Sequence, residues 1–152
     1  MAAHAPALTK PLSMRDKVNI IEARMRKFET LDLPVKHYFS QGVYARELFI
    51  PKGTLLTGKI HKFQQLNIMS QGDMSVLTEQ GIVRVQAPFT IVSPAGTKRI
   101  AYAHEDTVWT TIHGTDETDL AVIEARFIAK DDADYRAFLE ATQTKEITSC
   151  PG

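Results

Sequence analysis

A small set of basic and amide side chains is spaced along the chain so that it could form one binding site. In the stretch GTLLTGKIHKFQQLNIMSQG (53–72), Lys59 and His61 alternate and Gln65 follows, while Arg99 lies further along the sequence. Residues two apart on a strand point to the same side, so Lys59 and His61 are expected to share a face. Lysine and arginine offer hydrogen-bond donors and no lone pair, which favours an anion over a metal cation as the ligand.

Short strands are the elements that would position these residues. After Pro34 the sequence changes to β-branched and aromatic runs that are separated by Gly, Pro, Asn or Ser. Eight such runs at this spacing predict a β-sandwich or barrel. The predicted strands are 43–50, 55–63, 66–71, 73–78, 81–87, 89–93, 98–104 and 107–113.

Helical patterns flank the strands on both sides. Ser13 and Asp16 have the spacing of a capping box and mark the start of the first helix. Its apolar stripe could pack on its own domain or against a second subunit. The stripe consists of Met14, Val18, Ile21, Met25 and Phe28. After the last strand the helical spacing returns in Leu120, Ile123 and Phe127 and then in Tyr135, Phe138 and Leu139.

Length and composition predict one soluble domain. The chain has 152 residues, of which 43% are hydrophobic, and its 18 basic residues balance 18 acidic ones. Without a block of like charges, neither a nucleic-acid polymer nor a membrane is the expected partner. Cys150 is the only cysteine, so no intramolecular disulfide can form, and without an apolar leader a cytoplasmic location is expected. The predicted organisation is a flexible tail (1–12), an amphipathic helix (13–33), a β-barrel (34–115), a helical C-terminal segment (116–145) and a flexible tail (146–152).

The spacing of glycines and prolines around these residues resembles the two motifs of the cupin family, a jelly-roll or double-stranded β-helix barrel. The first family pattern is G-x(5)-H-x-H-x(3,4)-E-x(6)-G, and its spacing is matched by Gly53, Lys59, His61, Gln65 and Gly72. The second is G-x(5)-P-x-G-x(2)-H-x(3)-N, and its spacing is matched by Pro88, Pro94, Gly96, Arg99 and Ala103. The resemblance covers about residues 35–115. It implies a mainly β cupin barrel, with the amphipathic helix before it and a short helical tail after it.

The resemblance also implies where a metal would bind, and the chain departs from the family there. The two His and the Glu of the first motif and the His of the second hold the family's metal, and they correspond here to Lys59, His61, Gln65 and Arg99. Only His61 keeps the ligand type, so we expect no metal and no cofactor. His104 and His113 could supply ligands elsewhere, but a histidine at a strand end is more often hydrogen-bonded than metal-bound.

A closer similarity links the chain to small cupin-like proteins of tailed bacteriophages. It is carried by VYARELFIPKGTLLTGKIH, LNIMSQGDMSVLTEQG and APFTIVSPAGTKRIAYAHEDTVWTTIHGTDETDL. Those relatives have no assigned function. The similarity implies a phage-encoded protein in the bacterial cytosol and adds no mechanism.

The favoured function is a metal-independent protein that binds a small anionic ligand in the barrel. Arg99 and Lys59 would hold the anion of a nucleotide or sugar phosphate, with Phe63 or Trp109 stacked on its base or sugar. His61 and Gln65 would complete the predicted ligand-binding set. In a phage, such a protein could sequester a host defence signal. The alternative is that Lys59 and Arg99 pair with carboxylates and that packing closes the cavity. The candidate carboxylates are Glu47, Glu79 and Glu105.

Two further functions stay open. A metal-free isomerase or epimerase would use His61 as general base, with Lys59, Tyr44 or Tyr102 as acid. No carboxylate is placed to orient His61, so the sequence favours binding over catalysis. The other is a structural or assembly protein of a phage, although polar motif positions differ from the apolar filling of a purely structural barrel. In each case a homodimer or higher homo-oligomer is expected, because the helix stripe and the open sheet edges need covering.

Overall fold

Two antiparallel β-sheets form the main body of the protein. The computed structural model describes residues 10–148, with side chains through residue 145. The helices are α1 Met14–Met25, α2 Leu120–Phe127 and α3 Asp132–Thr148. The strands are β1 Val35–Ser40, β2 Val43–Ile50, β3 Leu55–Thr57, β4 Ile60–His61, β5 Gln65–Gln71, β6 Asp73–Thr78, β7 Gly81–Gln86, β8 Phe89–Ser93, β9 Ile100–Ala103, β10 Thr107–Gly114 and β11 Ile128–Ala129.

The order of the strands is that of a jelly roll. One sheet runs β1-β2-β10-β5-β8 and the other β3-β9-β6-β7, while β4 and β11 form a separate two-stranded ribbon. Leaving out β1 and the ribbon, four strands lie in each sheet, in the orders β2-β10-β5-β8 and β3-β9-β6-β7, which is the double Greek-key pattern. The predicted mainly β, jelly-roll architecture with flanking helices is confirmed.

Most strand bounds follow the predicted runs, with two differences. The predicted strand 55–63 is broken, because β3 ends at Thr57 and β4 contains only Ile60 and His61. The strand β1 was not predicted at all. It lies at the edge of its sheet and five of its six residues are exposed, so it has no alternation of apolar and polar residues to detect.

The first helix begins where predicted and ends early. The Ser13 and Asp16 capping box is formed, but α1 ends at Met25 and does not continue to residue 33. Phe28, the last residue of the predicted stripe, is 75% exposed. It therefore buries little apolar surface that could stabilise a longer helix. Val18 in the middle of the stripe is fully buried within the chain itself, as the intramolecular alternative requires.

The C-terminal segment is two helices joined by β11, and the second helix extends to Thr148, beyond the predicted end at residue 145. The predicted tail 1–12 falls mostly, and the tail 146–152 partly, outside the described residues. Among residues 10–148, no helix is both long and apolar enough to cross a membrane.

The apolar core fills one half of the space between the sheets. Its fully enclosed members are Ile50, Met69, Met74 and Ala103, and Leu48, Val76, Phe89 and Trp109 pack around them. The other half of the same interior is lined by polar side chains, which makes it the candidate site.

Candidate ligand-binding site

The larger sheet changes from apolar to polar along its inner face. On β2, Leu48 and Ile50 contact the core, whereas Tyr44, on the same side of the strand, lies beyond it. The neighbouring strands β5, β8 and β10 change in the same way. We call this half of the interior the polar end; its buried members are Tyr44, Gln65, Asn67, Ser93, Thr111 and His113.

A hydrogen-bond network centred on Asn67 crosses the polar end. Its Oδ1 accepts from Thr111 Oγ1 at 2.8 Å and from Trp109 Nε1 at 3.3 Å. Its Nδ2 donates to Ser93 Oγ at 3.0 Å, and Arg99 Nη1 donates to the same hydroxyl at 3.3 Å. Arg99 and Trp109 are therefore held by protein partners inside the barrel.

Two stacked histidines lie beside this network. The centroids of the His61 and His113 rings are 5.3 Å apart with an interplanar angle of 22°, and the Phe127 ring also stacks with His113, at 4.3 Å. Burial lowers the pKa of His61 to about 4, and the charges of His113, Arg46 and Lys59 act in the same direction. Burial also lowers the pKa of His113. Both imidazoles are consequently neutral at pH 7.

A short helix and strand cover the polar end. We call α2 and β11 (Leu120–Ala129) the cap. Ile123 and Phe127 of the cap form a buried cluster with Tyr44. The strand β11 pairs with β4, placing Ile128 opposite His61, and the Lys62 N–H donates to the Phe127 carbonyl at 2.7 Å. The cap therefore prevents direct entry along the barrel axis.

An open groove of about 570 Å³ runs beside the cap and reaches the polar end. Gln65 and His113, both buried, are part of its wall. The other lining residues are Phe63, Gln64, Leu66, Val92, Ile112, Gly114, Arg126 and Phe127. In the described part of the chain, Gln65 Oε1 and His61 Nδ1 are buried without a hydrogen-bond partner.

The predicted site residues are thus brought together only in part. His61 and Gln65 lie in the polar end, Arg99 and Trp109 in the Asn67 network, and Phe63 in the groove. Phe63 contacts Phe127 and Phe138 edge to face, with ring centroids 5.8 and 5.3 Å apart.

Lys59 lies apart from the others, contrary to the prediction that it faces inward with His61. Its exposed ammonium group forms an ion pair with Glu124 of the cap. The alternation that predicted a common face fails because β4 has only two residues and does not include position 59. Two carboxylates predicted as alternative partners have other partners, since Glu47 pairs with Lys36 and Glu105 with Lys52.

Several residues of the site escaped the sequence-based prediction. Asn67 shares a strand face with Gln65, so its alternation could have revealed it. Arg46 shares a face with Tyr44 in the same way and its charge acts on His61. Arg126 could not be found, because the position of the cap depends on the tertiary fold.

The residues at the motif positions do not fit a metal. Lys59 and Arg99 are donors that are already engaged, and the ring stacked on the retained His61 is the imidazole of His113. Within residues 10–148 no group of three or more His, Cys, Asp or Glu side chains could hold a metal ion. The chemistry available here is that of hydrogen bonds, ring contacts and arginine cations.

Of three comparisons with known proteins, only the one with solved structures found similarity to this chain. No protein-family model matches it, and no curated protein does. A cupin domain from Bordetella pertussis is 15% identical with a TM-score of 0.44, over 58% of this chain and 98% of that one. A cupin-2 domain-containing protein from Shewanella frigidimarina is 14% identical with a TM-score of 0.44, over 68% and 100%. KdgF from a Halomonas species is 17% identical with a TM-score of 0.46, over 59% and 91%. At these values the likeness assigns neither a family nor an activity to this chain.

Proposed function

We propose that this protein binds a small anionic molecule without a metal, and that the ligand enters by the groove and reaches Gln65. The observation that carries the proposal is the Gln65 side chain, which is 7% exposed and makes no hydrogen bond through Oε1 to the described residues. Buried polar atoms in native proteins are nearly always paired. Oε1 itself is enclosed, so a ligand from the groove would supply the partner by displacing the side chains that separate the groove from this atom.

The charges around the site favour an anion. Among the described residues, neither Arg46 nor Arg99 forms an ion pair, and the hydrogen bond of the Arg99 side chain goes to the neutral Ser93 hydroxyl. Arg126 is in the groove, and no carboxylate is among the ten described residues that line it. Lys59, which the sequence placed at the anion, is instead balanced by Glu124.

Binding is favoured over catalysis by the surroundings of His61. With a pKa of about 4 its imidazole is a weak base at pH 7, and no described carboxylate accepts a hydrogen bond from it to orient the ring. Tyr44, a candidate acid, shares a hydrogen bond of 2.8 Å with His37 Nδ1. The assembly role, the phage origin and the cytoplasmic location stay predictions.

A thermal-shift screen of nucleotides, sugar phosphates and small carboxylates, run in a metal chelator, tests the proposal. We expect at least one anion to raise the melting temperature of the wild type. Gln65→Leu should fold and lose most of that rise, while Gln71→Leu, at the exposed far end of the same strand, should keep it. The proposal fails if no anion stabilises the wild type or if Gln65→Leu responds like the control.

A further inference from the structure

An apolar row crosses the outer face of the larger sheet from one edge to the other. Side chains alternate along each strand, so the residues next to the buried Tyr44, Gln65 and His113 point outward. Cross-strand pairing places five outward side chains side by side, one from each strand of the sheet. In the order of the strands, the row consists of Tyr38, Ala45, Ile112, Leu66 and Val92.

This row is open to solvent in the single chain. Tyr38 is 49%, Leu66 36% and Val92 50% exposed. Lys36 and Glu47 are the charged residues among the outward positions of these five strands, and they form an ion pair with each other at 3.8 Å. The solvated face of an antiparallel sheet normally alternates polar residues outward. A continuous apolar row with no unpaired charge beside it therefore indicates a surface that another protein chain covers.

The sizes of the side chains in the row suit a second copy of the same row. Two sheets that pack face to face lie about 10 Å apart with their strands nearly aligned. A two-fold axis that runs parallel to β10 and passes over Ile112, the middle member, reverses the order of the row in the partner. The bulky Leu66 then faces the small side chain of the partner's Ala45, and Tyr38 faces the partner's Val92. Each large side chain thus meets a smaller one, as close packing requires.

The outer face is also large enough for a specific contact. Its five strands have five to eight residues each. With strands about 4.8 Å apart and about 3.3 Å per residue, the face has a flat area of about 500 Å². Two copies would bury about 1,000 Å², which is near the lower limit for specific interfaces, so the association should be weak.

From the open row, its size complementarity and its area, we infer that two copies of this chain pair through the outer faces of their larger sheets, with the two-fold axis over Ile112. Pairing of identical patches about a two-fold axis is the commonest form of association between soluble chains. Three members of the row also line the groove, so the partner's Tyr38 borders it. The groove stays open toward the cap, where Arg126 lines it. This pairing goes beyond the proposed function and does not depend on it.

Sedimentation velocity on the full chain, from about 1 to about 100 µM, tests the pairing. We expect the wild type to change from monomer to dimer over this range. Leu66→Glu places a charge within the apolar contact and should raise the dissociation constant of the dimer at least tenfold. Ile82→Glu, at a position that is 76% exposed on the outer face of the smaller sheet, is the matched control and should dimerise like the wild type. Circular dichroism should show that both variants are folded.

Complementary charges test the position of the two-fold axis. Tyr38→Lys and Val92→Glu should each dimerise at least tenfold more weakly than the wild type, because each buries unpaired charges. An equal mixture of the two should form a heterodimer more tightly than either variant pairs with itself, because the introduced lysine faces the introduced glutamate. The matched control is a mixture of Tyr38→Lys with Val92→Lys, which should show no such gain.

Three results would overturn the inference. A wild type that stays monomeric at about 100 µM would mean that a different protein covers the row. A dimer that both Leu66→Glu and Val92→Glu leave intact would use another surface. If these variants weaken the dimer but the mixture of opposite charges gains nothing over the mixture of like charges, the two-fold axis over Ile112 is wrong.

Discussion

At the scale of single residues, neutral imidazoles in the polar end lie near two arginines, Arg46 and Arg99, that form no ion pair with the described residues. His61 is surrounded by His113, by the cations Arg46 and Lys59, and by the single carboxylate of Glu124. Adding a proton to His61 would therefore place a charge in a buried site that is already cationic. At neutral pH the positive charge near the polar end therefore resides in the arginines and not in the imidazoles.

The lowered pKa of His61 predicts how stability depends on pH. The unfolded imidazole titrates near 6.5 and the folded one near 4, so the unfolded state binds more protons between these values. The contribution of His61 to the free energy of unfolding is complete above pH 6.5 and is lost as the pH falls to 4. It amounts to at most about 3 kcal/mol. Urea unfolding from pH 7.5 to 4 should show this loss. His61→Phe keeps a ring beside His113 and should flatten the curve; a parallel curve would contradict the assignment.

What could be predicted at this scale followed from strand alternation. His61 was expected to face the interior if it kept its family position, and the structure places it in the polar end with Gln65, while their role in binding stays a prediction. The prediction for Lys59 was wrong because β4 contains only Ile60 and His61, so strand alternation does not extend to position 59. Arg126 belongs to a helix whose location on the barrel is set by β11 pairing with β4, a contact far apart in sequence.

At the scale of elements, the cap covers the polar end of the interior. Its helix α2 has eight residues and depends on its ends and its buried face for stability. Asp119 caps the N-terminus by accepting from the Ala121 and Val122 N–H groups. Near the middle of the helix, the ion pair from Glu124 to Lys59 links α2 to the barrel.

Removing the N-cap should loosen the cap without unfolding the barrel. We expect Asp119→Ala to lower the free energy of unfolding by about 1 kcal/mol, because two helix N–H groups lose their acceptor. Hydrogen exchange should accelerate at residues 121–127 and remain slow in β5 and β10. Ser13→Ala, which removes the cap of α1, is the matched control and should accelerate exchange in 15–25 only. Unchanged exchange in α2 would show that Asp119 is not its stabilising cap.

The motif glycines show why elements could be predicted and their packing could not. Gly96 has φ of +76°, and a Cβ there would lie 2.6 Å from Tyr135 Oη of α3. The turn itself follows from the Pro94-Ala95-Gly96 sequence. That a helix from the C-terminal segment packs on this turn depends on a long-range contact that local spacing does not contain.

At the scale of the whole molecule, the barrel has an apolar half that holds the sheets together and a polar half that faces the groove. The spacing of eight short runs was enough to predict a β-sandwich or barrel, and the jelly roll was implied by the resemblance to the two cupin motifs. The edge strand β1 leaves Tyr38 and Phe39 exposed, at 49% and 44%. The homo-oligomer expected from the sequence stays a prediction.

The central claim is that the groove beside Gln65 binds an anionic small molecule without a metal. The most direct measurement is a two-dimensional NMR titration of ¹⁵N-labelled protein, in a metal chelator, with the most stabilising anion of the screen. We predict that saturable shifts of the backbone amides concentrate in 63–66, 112–114 and 126–127. Shifts centred on the surface around Lys52, Gln71 and Asp106, or saturation only after a divalent metal is restored, would contradict the account.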